Sequence, residues 1–240
     1  MDRTFKALSA LLSYPTDELA AATGEISEVL ESDARIPAPI KQRLHKLVAE
    51  LAGDDRYDLQ ERYVLLFDRT RSLSLHLFEH VHGEGRNRGQ AMIDLMQMYD
   101  KHGLEVDARE LPDFIPIFLE YVSLLPKVEA RELLAQPAHI FAALAERLRK
   151  RHSSYEEVFR VLVALASVQL DEEVVSTLLE MPDPDATDLK ALDAAWEDQP
   201  VDFGSGANGC KDEIVAKVRA GRRPAPGIET KSHRPAITHS

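Results

Sequence analysis

The sequence predicts an all-α fold: a single globular helical bundle of about eight to ten helices with a flexible C-terminal tail. Three observations predict it. Apolar residues recur at helical spacing almost throughout, helix start and stop residues punctuate the stripes, and no alternating run bounded by a hairpin dipeptide occurs. The best strand candidate, "RVLVALASV" at 160–168, is flanked by helix formers and has no second strand to pair with.

Taken in order, Phe5, Leu8, Leu11 and Leu12 form the stripe of a first helix that Pro15 ends. Thr16, Asp17 and Glu18 supply an N-cap and an acidic first turn for the next. Ile40, Leu44, Leu47, Val48 and Leu51 mark a helix that follows Pro39 and closes at Gly53. Further helices are expected at about 55–68, 88–102, 112–125, 136–151, 153–169, 171–180 and 185–197. The runs at 114–125 and 158–168 are apolar nearly all round and predict central helices, whereas the stripes at 5–12 and 40–51 predict outer ones. Neither a solenoid repeat nor a sustained heptad is present. From Pro200 the chain turns glycine-rich and then basic, although "KDEIVAKVR" at 211–219 reads as a short helix. Residues 1–205 are therefore expected to form the helical domain and 206–240 a flexible segment, disordered from about 221.

The chain has 240 residues, 44% of them hydrophobic, enough for a sizeable core. Its net charge of −12 argues against binding to nucleic acid or an anionic membrane. Residues 221–240 carry Arg222, Arg223, Lys231 and Arg234 against Glu229 alone, a sum of +3, which leaves −15 for the rest. The single cysteine, Cys210, allows no internal disulfide and no cysteine-ligated cluster, and reads as an incidental free thiol. With no secretory signal and no apolar run long enough to insert in a bilayer, the sequence predicts a cytoplasmic protein.

The densest polar motif is "SLHLFEHVHGEG" at 74–85, where His76, Glu79 and His80 stand in the order HxxEH of inverted zinc peptidases. On a helix, His76 and His80 would converge on a metal with Glu79 as base, and Glu156 or Glu157 could supply a third ligand. Such peptidases are larger α/β proteins, and this chain offers neither the strands nor the length. The plainer reading has the histidines bonding nearby carboxylates and backbone in an irregular segment packed under a helix pair. The following "GEGRNRGQAM" is no phosphate loop, because Gly83, Gly85 and Gly89 have the wrong spacing and no strand precedes them.

"YVLLFDRTRSLSLHLFEHVHGEGRNRGQAMIDLMQMYDKHGL" at 63–104, followed by "ELPDFIPIFLEYVSLLP" at 110–126, closely resembles the delta-subunit assembly chaperones of respiratory nitrate reductase. "ALLSYPTDEL" at 10–19 and "WEDQPVDFG" at 196–204 extend the likeness over roughly 1–205. The resemblance implies an all-helical cytosolic chaperone of the redox-enzyme maturation kind, with no catalytic residues, no metal and no cofactor of its own. Its partner would be the apo catalytic subunit of nitrate reductase, grasped by its N-terminal segment while molybdenum cofactor and an iron-sulfur cluster are inserted, before membrane docking. Proteins that deliver molybdenum cofactor are further candidate partners. The wider family's signature resembles EPxDHxxxE; "ELPDFIPIFLE" offers Glu110, Pro112, Asp113 and Glu120, with Leu111 inserted and Phe114 in place of histidine.

The residues themselves point to a helix-in-groove contact. Met92, Leu95, Met96 and Tyr99 share one helical face, and methionine adapts to irregular apolar surfaces. Ordinary core packing is the competing reading of that face. Asp68, Glu79, Glu84, Asp113 and Glu120 would pair with a basic client, and His76, His80 and His82 would tune affinity with pH. Phe78 adds apolar surface, and Arg71, Arg86 and Arg88 would either clamp these carboxylates or touch the ligand. A generic acidic helical adaptor remains the alternative from the interaction class.

Overall fold

In the computed structural model, residues 1–81, 86–106, 110–183 and 190 are described, and they form ten α-helices joined by short turns. These are α1 (Arg3–Leu11), α2 (Asp17–Ser32), α3 (Ala38–Gly53), α4 (Arg56–Tyr63), α5 (Arg86–Asp100), α6 (Ile115–Leu124), α7 (Lys127–Ala135), α8 (Ala138–Lys150), α9 (Glu156–Ala166) and α10 (Glu172–Leu179). Among the described residues there is no strand, only an isolated antiparallel bridge between His76 and Phe114. The helix expected at 185–197, the short one at 211–219, the segment 206–240 and Cys210 lie outside the described residues, Lys190 excepted.

Local chemistry accounts for the boundaries. Thr16 Oγ1 accepts from the Leu19 amide at 3.3 Å and starts α2, and Asp55 Oδ1 accepts from the Tyr57 amide at 2.9 Å and starts α4. The helix expected at 55–68 is α-helical only to Tyr63. It then widens into one π turn, Val64–Asp68, where the Arg69 amide reaches back five residues to the Val64 carbonyl at 3.1 Å.

The core sits where α8 and α9 lie against each other, with α3 and α7 on α9, α10 on α8, and α1 between α6 and α2. Phe141, Leu144, Leu148, Val158, Phe159, Val161 and Leu162 are fully buried there. As the apolar runs predict, α6 and α9 are central, and α3 shows a one-sided face through Leu44, Leu47, Val48 and Leu51. Helix α1 is more enclosed than its stripe predicts, because Thr4 and Ser9 are buried as well. Their hydroxyls donate to Asp33 Oδ2 at 2.6 Å and to the Pro116 carbonyl at 2.8 Å, so the polar side of α1 also faces protein. A second, smaller cluster of Leu95, Tyr99 and Tyr121 fastens α5 to α6.

Candidate functional site

The HxxEH stretch does not form the helix that a zinc site requires. Residues 69–81 pass through the protein as two 3-10 turns, Arg71–Leu73 and Leu77–Glu79, separated by the bridge at His76. Asp113 organises this path. It is fully buried; its carbonyl accepts from the Leu77 amide at 3.0 Å, Oδ2 accepts from the Phe78 amide at 3.0 Å, and Oδ1 meets His76 Nδ1 at 3.2 Å. The Ile115 amide returns a bond to the Leu75 carbonyl at 2.8 Å. Because the backbone and side chain of Asp113 serve residues 76–78, α6 begins at Ile115 and not at 112 as the sequence suggests.

His80 is buried and its Nε2 lies 2.8 Å from the Ser74 carbonyl, so that nitrogen carries the proton. The two imidazoles therefore serve different partners. Of the expected third ligands, Glu157 is held by Arg43 and Glu156 by Arg160. Burial pushes His80 down to about 4. For His76 burial opposes the charged form, but the hydrogen bond to Asp113 and the charges of Asp113 and Glu79 outweigh it and hold the ring above its ordinary value. Burial raises the Asp68 carboxyl, against the pull of His76.

The expected binding residues divide into two sets. His80, Tyr99 and Asp113 are interior, and Tyr99 Oη donates to the Pro112 carbonyl at 2.8 Å, so these three position the surface without lining it. Arg71, His76, Phe78, Glu79, Arg88 and Met92 are half-buried, and Asp68, Met96 and Glu120 are exposed. Arg88 approaches Glu79 at 3.6 Å, which joins the turn at 77–79 to the start of α5, while the Asp68 carboxylate feels the charge of His76. Along α5 the predicted stripe splits: Leu95 and Tyr99 are core, whereas Met96 and its neighbour Ile93 are 46% and 52% exposed. Glu120 stands on α6, and His82 and Glu84 lie outside the described residues.

Sequence reasoning missed Arg147. This buried guanidinium extends from α8, donating from Nη1 to the Ser72 carbonyl at 2.6 Å and from Nη2 to the Leu178 carbonyl at 2.7 Å. Asp183 accepts from the Ser72 hydroxyl and from Arg151, so the end of α10 is tied to the same segment. The signal was a charge at position 147 on the apolar face of Ile140, Phe141, Leu144 and Leu148. Also unforeseen is an open depression of about 540 Å³ between α5, α6 and α7, lined by Met98, Tyr121, Leu125, Leu133, Glu129 and Glu132 among others.

The sequence profile of the nitrate reductase delta subunit matches residues 33–160. The chain belongs to the nitrate reductase delta subunit family. It is 41% identical over 208 residues to the nitrate reductase molybdenum cofactor assembly chaperone NarJ of Escherichia coli K12, covering 87% of each chain. It is 38% identical over 198 residues to the probable chaperone NarW of the same strain, covering 82% of each. A probable NarJ of Bacillus subtilis is 30% identical over 172 residues, 71% of this chain and 92% of that one. The part matched by the delta subunit profile runs from just before α3 into α9, and so contains the whole Asp113-centred segment and α5.

Proposed function

We propose that this protein is a dedicated assembly chaperone for nitrate reductase. In this reading it binds the apo catalytic subunit by its N-terminal segment and holds it competent for insertion of molybdenum cofactor and an iron-sulfur cluster before the complex docks at the membrane. The observation that carries the reading is 41% identity across 87% of the chain to a chaperone named for molybdenum cofactor assembly. The geometry supports it with Ile93 and Met96 exposed on the helix whose Arg88 meets Glu79, Glu79 and His76 standing on the irregular segment and Asp68 at the end of the π turn that precedes it. An amphipathic basic helix could lay its apolar side on α5 and its cations toward Asp68 and Glu79. Among the described residues no helix is long and apolar enough to cross a membrane, which agrees with action in the cytoplasm.

Such a chaperone needs no nucleotide. It stabilises the immature client by mass action and lets go because the cofactor-loaded client binds less well. Proteins that deliver molybdenum cofactor would meet the client while it is held. The test is maturation in cells that make nitrate reductase but lack a chaperone of this family. Supplying this chain should raise the molybdenum content of purified nitrate reductase severalfold, whereas an unchanged content with the chain well expressed would contradict the proposal.

A further inference from the structure

The depression between α5, α6 and α7 has an apolar floor of Met98, Tyr121, Leu125 and Leu133 and an acidic rim of Glu129 and Glu132. No cation lines it. Both glutamates are exposed, and beside the floor Leu124 and Val128 are 39% and 62% exposed. An apolar hollow of this kind, edged by one sign of charge, fits a short extended segment with cations spaced around one or two aliphatic side chains.

The chain carries such a segment itself. Residues 221–240 read "GRRPAPGIETKSHRPAITHS": Arg222 and Arg223 precede Ile228, Lys231 and Arg234 follow it, and Ile237 comes after Pro235. We propose that this basic C-terminal segment docks in cis into the α5–α6–α7 groove, with an isoleucine on the apolar floor and its cations against Glu129 and Glu132. The charge division supports the pairing, since +3 at 221–240 faces −15 on the remainder. Reach does not limit it. The 38 residues between Asp183 and Arg222 extend to about 125 Å, roughly three times the ~40 Å diameter of a domain of this size.

Tethering makes a weak contact sufficient. At an effective concentration on the order of 1 mM, a segment with an intrinsic Kd of about 0.1 mM fills the groove about 90% of the time and raises the apparent Kd of any competitor about tenfold. The groove is thus covered against casual apolar contacts yet open to a ligand of micromolar affinity. This docking concerns the chain alone and stands or falls independently of the chaperone reading.

Zero-length carbodiimide coupling of the full-length protein tests it, because Lys231 is the sole lysine of the segment. The expected result is an isopeptide between Lys231 and Glu129 or Glu132 in the monomer fraction. It should be absent in the E129Q/E132Q variant and reduced at least fivefold when Arg222, Arg223 and Arg234 are changed to glutamate. Coupling of Lys46 to Glu50, 3.8 Å apart within α3, serves as internal control. If that control forms while Lys231 couples to other carboxylates or to none, the proposal is overturned. Coupling of Lys231 to these glutamates only between two copies overturns it as well, and assigns the groove to a neighbouring molecule.

Discussion

Asp113, His80 and Arg147 give the irregular segment at 69–81 its shape, each by satisfying buried backbone groups that no helix serves. Arg147→Met keeps the apolar stem but leaves the Ser72 and Leu178 carbonyls unpaired, and should cost about 2–4 kcal/mol in urea unfolding. The two histidines act oppositely with pH. His80, lowered by folding from 6.5 to about 4, contributes stability that is complete above pH 6.5 and is lost as pH falls toward 4, by about 3 kcal/mol. His76, raised by folding, contributes stability that is complete below its ordinary value and fades as pH rises through the raised one. Urea midpoints at pH 4.5, 6 and 8 should therefore show an acid loss that His80→Gln flattens, and Asp113→Asn should remove the contribution of His76 together with about 1–3 kcal/mol at every pH. The residue types of this segment were visible in the sequence. Their partners were not, because Asp113 lies up to 37 residues from the groups it bonds and Leu178 lies 31 residues from Arg147.

Helix α5 shows how far an amphipathic pattern can be read. The stripe Met92, Leu95, Met96 and Tyr99 correctly marked one face, but which flank of it is covered depends on where α6 and α7 stand. Tyr121 takes Leu95 and Tyr99, and Met96 is left to solvent. Helix α7 was missed although Pro126 and Pro137 bracket it, because only Ala130 and Leu134 are buried and its stripe is weak. The expected helices at 136–151, 153–169 and 171–180 are present as α8, α9 and α10, trimmed at both ends where capping turns replace the last residues. Since the small cluster of Leu95, Tyr99 and Tyr121 fastens α5, its amides should exchange with deuterium sooner than those of α8 and α9. Tyr99→Phe, which orphans the Pro112 carbonyl, should hasten α5 further and cost about 1–2 kcal/mol while leaving α9 unchanged.

At the scale of the whole molecule, the ten helices of the described residues, in a chain with an acidic balance, present Ile93 and Met96 exposed on α5, the helix whose Arg88 meets Glu79. The bundle and its class follow from periodicity and punctuation. The surface does not, because it forms where α5 meets the irregular segment at 69–81, whose path depends on partners distant in sequence. Calorimetric titration of the purified protein with a synthetic peptide of the N-terminus of the proposed client, the nitrate reductase catalytic subunit, tests the chaperone account most directly, with a scrambled peptide of equal charge as control. The account predicts saturable binding at micromolar or tighter Kd, lost on scrambling, weakened by added salt and reduced at least tenfold by Ile93→Asp with Met96→Asp, an exposed pair whose change leaves the fold intact. Equal heats from both peptides, or an affinity that the α5 variant leaves untouched, would contradict it.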